Sequence, residues 1–207
     1  ELIWQQDAFY RYYLHGPLAR TEIGHRKVQG LDYAYTLQGW IKGVNGVSND
    51  AAIDIGRDNY PVLSEFNHST VSKDVFSYEL DYFNSDYRAI GTTDQLFKNP
   101  FNNFATETSA VSRPLFNGNI MGMSTSLSQF GLAHYRYRYD QLNRLTEKHS
   151  FQQVTNSLQE TPDFAEYLSY DANGNILTAN RNASLASAGG QAMDNLNYQY
   201  ETNTNKL

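Results

Sequence analysis

One pattern, Tyr-x-Tyr-Asp-x-x-Gly/Asn-x-Leu/Ile, constrains this chain more than any other feature. Residues 135–145 read Tyr-Arg-Tyr-Arg-Tyr-Asp-Gln-Leu-Asn-Arg-Leu, and residues 168–177 read Leu-Ser-Tyr-Asp-Ala-Asn-Gly-Asn-Ile-Leu. Aligned on Tyr139 and Tyr170, the same frame takes in Tyr33, Tyr35 and Gly39, with Thr36 in place of Asp, and also Tyr10, Tyr12 and Gly16. Tyr198 and Tyr200 open a degraded copy that turns near Thr204, and Leu80-Asp-Tyr82 with Asp86 at the turn gives another. Asn117-Gly118-Asn119-Ile120 repeats the turn half without the Tyr-x-Tyr half. Most of these markers follow one another at a spacing that suits one β-hairpin plus a connection, which is the signature of a repeat architecture. The widest gap, from Gly39 to Asp86, fits two units or one unit with an insertion.

The physics of one unit is readable. Tyr135, Tyr137 and Tyr139 alternate with Arg136 and Arg138, the period of two expected of a half-buried strand. The tyrosines are expected on a packed layer and the arginines in solvent. Asp140 and Asp171 can cap a type I turn, and Asn143 or Gly174 then supplies the positive φ that a three-residue hairpin with a bulge requires. Gly16, Gly39 and Gly118 take the same place. The expected fold is therefore all-β, built of repeated antiparallel hairpins with short helical or loop insertions. We read residues 1–207 as one fragment of a larger repeat, with units near 9–24, 30–44, 78–91, 114–127, 134–151, 166–181 and 196–207. Insertions fall near 45–77 and 92–113, the second expected to be a loop with a helical turn at 92–104. The Ala-, Ser- and Gly-rich stretch 182–195 is expected to be a mobile surface connection. Because the chain opens at Glu1 inside an apolar segment and stops within a repeat, we expect a piece of a longer protein.

Composition excludes several functions. Aromatic residues make up 14% of the chain, which argues against disorder. No run approaches the roughly 18 apolar residues of a transmembrane helix. With 16 basic and 22 acidic residues the net charge is −6, unsuited to a nucleic-acid partner held by counterion release. The Tyr-Arg run could stack single-stranded bases, but a strand with two unlike faces needs that alternation anyway. There is no cysteine, hence no disulfide scaffold, thiolate chemistry or Cys-based zinc site. His15, His25, His68, His134 and His149 are scattered. Asp171-Ala-Asn-Gly-Asn175 resembles the start of a calcium loop, yet Ile176 stands where that loop needs Gly. Asp50, Asp54 and Asp58 could form an acidic helical face or a cation site; Gly56 and the Asn-rich surroundings favour a solvated loop. Ser124 lacks the elbow of a hydrolase nucleophile. No catalytic, cofactor-binding or metal-binding residue is assigned.

The Tyr-Asp pattern resembles the YD repeat of RHS proteins, related to the shells of toxin-complex proteins and to teneurins. Tyr13-Leu-His-Gly-Pro-Leu-Ala-Arg20, Val28 to Asn45, Asp54-Ile-Gly-Arg-Asp58, Lys73-Asp-Val-Phe76 and Tyr82 to Arg88 look like segments of the Bacteroidetes RHS type. The resemblance covers nearly the whole chain. It implies a curved strip of β-sheet forming part of a secreted or cell-surface bacterial shell around a C-terminal effector. It also implies a structural rather than enzymatic role. The implied partners are the rest of that shell, the effector, and a secretion apparatus or immunity protein. The self-cleaving motif of such proteins has no counterpart here. An adhesin or carbohydrate-binding module, with aromatic faces stacking on glycans, is the alternative. The two differ in whether the repeated aromatics pack inward or stand outward.

Overall fold

The computed structural model describes residues 4–46, 54–59, 68, 70–89, 97, 113–154, 157–201 and 204–207. Among them are eleven strands and no helix: β1 Ala8–Tyr12, β2 Leu18–Ile23, β3 Gln29–Tyr35, β4 Ile41–Val44, β5 Phe76–Asp81, β6 Gly122–Leu127, β7 Gly131–Tyr139, β8 Leu145–Val154, β9 Ser157–Tyr170, β10 Ile176–Asn182 and β11 Ala192–Asn197. They form one sheet in chain order, β1 to β11, and every strand pair is antiparallel. The sheet is open, with β1 and β11 at its edges. No helix among the described residues is long and apolar enough to cross a membrane. The expectation of an all-β hairpin sheet is met. The helical turn expected at 92–104 lies, but for Phe97, outside the described residues.

The turns follow from the repeat. In four of them the first residue donates its backbone N–H to the carbonyl four residues on, and the Gly or Asn donates back to the first residue. The pairs are Tyr13–Pro17, Thr36–Trp40, Asp140–Arg144 and Asp171–Asn175, with Gly16, Gly39, Asn143 and Gly174 returning the bond. These four residues have φ of 111°, 84°, 62° and 92°, the left-handed region that glycine and asparagine tolerate best. A register shift accompanies each hairpin, at Arg11/Tyr12, Ala34/Tyr35, Arg138/Tyr139 and Ile176/Thr178, as a bulged turn demands. The last copy is looser, with Glu201 reaching Lys206 instead.

Two of the repeat units read in the sequence are the halves of one hairpin. Leu80-Asp-Tyr82 ends β5, Asn117 to Ile120 leads into β6, and the Met121 N–H donates to the Asp81 carbonyl at 2.7 Å. Asp86 is not a turn residue: its carboxylate accepts from the Tyr82 N–H and pairs with Lys42. An insertion between the halves separates the tyrosine from its turn in sequence but not in space. The stretch 182–195 is also firmer than expected. Its ends are strand, and Asp163 accepts hydrogen bonds there from Leu185 N–H and from Gln191.

The faces of the sheet correct a further expectation. One row runs Ala34, Gly43, Glu79, Ser124, His134, Phe151 across β3 to β8, and all six are buried. Arg136, paired with Gly122, lies on this same face at 3% exposure. Tyr135, Tyr137 and Tyr139 occupy the other face and are half-buried. Of the two arginines expected in solvent only Arg138 is there, paired with Glu147. Burial lowers the Arg136 pKa to about 10, with Asp81 and Glu79 offsetting part of that cost, and Gly122 leaves space where its side chain lies.

Replacing Gly174 by Val should destabilise the protein by roughly 1–3 kcal/mol more than replacing it by Asn, because a β-branched side chain resists this backbone region. Urea denaturation of the two variants checks it; matching midpoints would rule out strain at this turn.

Candidate functional site

The repeat residues build a ladder of tyrosine hydroxyls. Two residues after each turn Gly or Asn stands an aliphatic residue whose carbonyl points at the next unit. Tyr82 donates to Ile41 (2.9 Å), Tyr139 to Ile120 (2.8 Å), Tyr170 to Leu145 (2.6 Å) and Tyr200 to Ile176 (2.9 Å). The turns join as well: Asn117 donates to the Asn143 side chain, Arg144 to the Asp171 carbonyl and Asn175 to Asn205. Asp140 and Asp171 spend their carboxylates on the N–H groups of their own turns, which holds both below the usual carboxylate range. Tyr137 reaches Met123 Sδ at 3.8 Å, and Tyr198 donates its backbone N–H to Leu177. Gly118 has φ 90° and lies against the Trp40 ring. At the opening edge the pattern departs. Tyr33 and Tyr35 are half-buried, and it is Tyr13 that donates its hydroxyl, to the Tyr33 carbonyl. Tyr10 and Tyr12 on β1 are 54% and 64% exposed.

Beneath the tyrosine layer lie two buried ionic centres that sequence reasoning missed. In the first, Arg20 on β2 is clamped by three carboxylates. Its Nε pairs with Glu22 at 3.1 Å, its Nη1 with Asp32 on β3, and its Nη2 with Asp58 at 2.6 Å. Burial opposes the guanidinium's charge, but Asp32 and Asp58 outweigh it and raise the Arg20 pKa. The backbone must come close for this: a Cβ on Gly30 or Gly56 would run into the Arg20 guanidinium and the Asp58 or Asp32 carboxylate. Asp54 accepts from the Asp58 N–H and Asp74 from the Gln29 amide. Asp54 and Asp58 are therefore buried, not in the solvated loop expected of them; Asp50 lies outside the described residues. One carboxylate oxygen from each of Asp32, Asp54 and Asp58 falls within 4.8 Å of the others, an arrangement able to hold a metal ion. Burial, with Asp54 and Asp58 nearby, pushes Asp74 up to about 9. Burial likewise takes Asp58 to about 7 against the pull of Arg20.

The second centre is Lys42 on β4. Its ammonium meets Glu79 at 3.0 Å, Asp81 at 2.9 Å and Asp86 at 2.9 Å, and donates to the Leu80 carbonyl. Burial disfavours that charge, yet the three carboxylates raise its pKa. Glu79, wholly buried, is pushed up to about 8 by burial and by Asp81. Ser124 and His134 meet at 2.8 Å across β6 and β7. Both are sealed from solvent, and burial lowers the imidazole to about 4 and keeps it neutral. The charges had a sequence signal, in Arg20-x-Glu22, Glu79-x-Asp81 and Lys42 at strand spacing. Nothing in the chain order marks which of them meet. The chain matches no protein-family model and no curated protein.

Tyr139→Phe should cost about 0.5–1.5 kcal/mol, the net worth of one hydrogen bond, with the carbonyl of Ile120 left without its donor. Urea denaturation checks it, and an unchanged midpoint would remove the ladder's energetic role. The pH dependence follows from Glu79. Its folded pKa lies above the ordinary 4.5, so its contribution is whole below about 4.5 and is lost as pH rises through about 8. Stability should fall from pH 5 to pH 9, and Glu79→Gln should flatten that fall; a denaturant midpoint that rises over the same range contradicts the reading.

Proposed function

We propose that this chain is a structural section of a secreted or cell-surface bacterial shell of the RHS type, whose task is containment of a C-terminal effector. The supporting observation is the ladder: the hydroxyls of Tyr82, Tyr139, Tyr170 and Tyr200 are spent on the backbone of the preceding hairpin. Aromatic groups used to fasten one repeat to the next stiffen a wall. Hydrogen bonds of this kind contribute about 0.5–1.5 kcal/mol each and add up over many units. An open sheet with two free edges suits extension by further strands of the same kind. The role is steric: the wall keeps an effector from the producing cell until delivery. The partners are the remaining shell, the effector, and a secretion apparatus or immunity protein.

The adhesin or carbohydrate-binding reading draws on the exposed aromatics Trp4, Tyr10 and Tyr12 near β1, the first of them 90% exposed. Protease treatment of the full gene product separates the two. The polypeptide encoded after these repeats should survive protease levels that digest it when it is made alone, and cutting at equal rates would end the containment reading. Binding of glycans to residues 1–207, abolished by Tyr12→Ala, would favour the adhesin.

A further inference from the structure

The Arg20 centre carries more negative charge than its cations can answer. Among the described residues, Glu22, Asp32, Asp54, Asp58 and Asp74 stand against Arg20 and Lys27 alone, five carboxylates to two cations. Arg20 is used up, because its Nε and both terminal nitrogens are engaged with Glu22, Asp32 and Asp58. Lys27 is spent on Glu22. His68 approaches Asp58 at 3.9 Å but adds charge only when protonated, and its Nδ1 meets the Gly56 carbonyl. Arg57 points to solvent.

A second observation lies outside the Asp32, Asp54, Asp58 trio. Asp74 enters from the strand approach before β5, at 4% exposure, and its carboxyl meets that of Asp54. One of its oxygens takes the Gln29 amide; the other, Oδ2, has no hydrogen-bond donor. Asp54 Oδ1 and Asp58 Oδ2 are also buried without a donor. Two carboxyl groups in contact in a dry interior need something positive between or beside them. A proton shared by Asp54 and Asp74 answers one charge of the three. A divalent cation answers two, at the place where Asp32, Asp54 and Asp58 each bring one carboxylate oxygen within 4.8 Å of the others.

We propose that Asp32, Asp54 and Asp58, with the buried carboxyl of Asp74 beside them, form a binding site for calcium. The donor set is made only of carboxylate oxygens, which suits a hard cation and not zinc or copper. Calcium is preferred over magnesium because magnesium gives up its water reluctantly and calcium accepts irregular sets of oxygens. The ion would tie the segment bearing Asp54 and Asp58 to β3 through Asp32, next to the Arg20 clamp.

Calcium chloride added to chelator-stripped protein at pH 8 is the test, read by calorimetry and thermal unfolding. About one calcium per chain should bind and raise the melting temperature. Terbium chloride should take the same place, its emission excited through nearby tyrosines and quenched by calcium. Asp54→Asn and Asp74→Asn should lose the uptake, and Asp140→Asn in a solvent-facing turn should keep it. Absence of stoichiometric uptake by the wild-type chain, whatever the variants do, overturns the proposal, as does uptake undiminished in folded Asp54→Asn and Asp74→Asn. In either case Arg20, Lys27 and protons hold the centre together without an ion.

Discussion

A charge taken out of water must bring its counter-charge along, and much of this sheet is arranged around that demand. Arg20 and Lys42 are each only 2% exposed. Each draws carboxylates from distant parts of the chain: Asp58 is 38 residues from Arg20, and Asp81 is 39 from Lys42. Buried ion pairs of this kind seldom add net stability over apolar packing of equal volume, yet breaking one leaves an uncompensated charge and costs several kcal/mol. Their effect here is selective. An arrangement that fails to bring Asp58 to Arg20, or Asp86 to Lys42, is penalised heavily, so charge ties Asp58 before β5 and Asp86 after it to the sheet.

The tyrosine and turn ladders act at shorter range. From β5 onward each repeat contributes a tyrosine hydroxyl to the backbone of its predecessor. Stability then approaches a sum over units and their nearest-neighbour interfaces. The ionic centres interrupt this regularity between β2 and β7, where contacts spanning tens of residues accumulate. The part from β7 onward is closer to a pure repeat.

How far the sequence could be read depends on the range of the interaction. Turn chemistry is local, and the positive φ at Gly39, Asn143 and Gly174 could be inferred from residue type and position. The period of two located β7 and β8, but it carries no sign. Where both faces hold large polar side chains, alternation says that Tyr137 and Arg136 face apart without saying which faces inward. Arg136 is inside, where Asp81 and Glu79 on β5, more than fifty positions earlier, offset part of the cost of its burial. The acidic run at Asp54 and Asp58 looked solvated for the same reason: its partner Arg20 lies two strands and a loop away. The Tyr half at Leu80 to Tyr82 and the turn half at Asn117 to Ile120 looked like separate units because the bond between Met121 and Asp81 leaves no trace in chain order.

That split hairpin has a consequence for how such a chain can change. Tyr82 still reaches back to Ile41, and Ile120 still receives Tyr139, so the step of the ladder is the same on both sides of the insertion. The cost of closing a loop grows only with the logarithm of its length. Beyond Asp86, which must still reach Lys42, the gap up to Asn117 is therefore a port: material of different length can be lodged there while the step of the ladder stays the same.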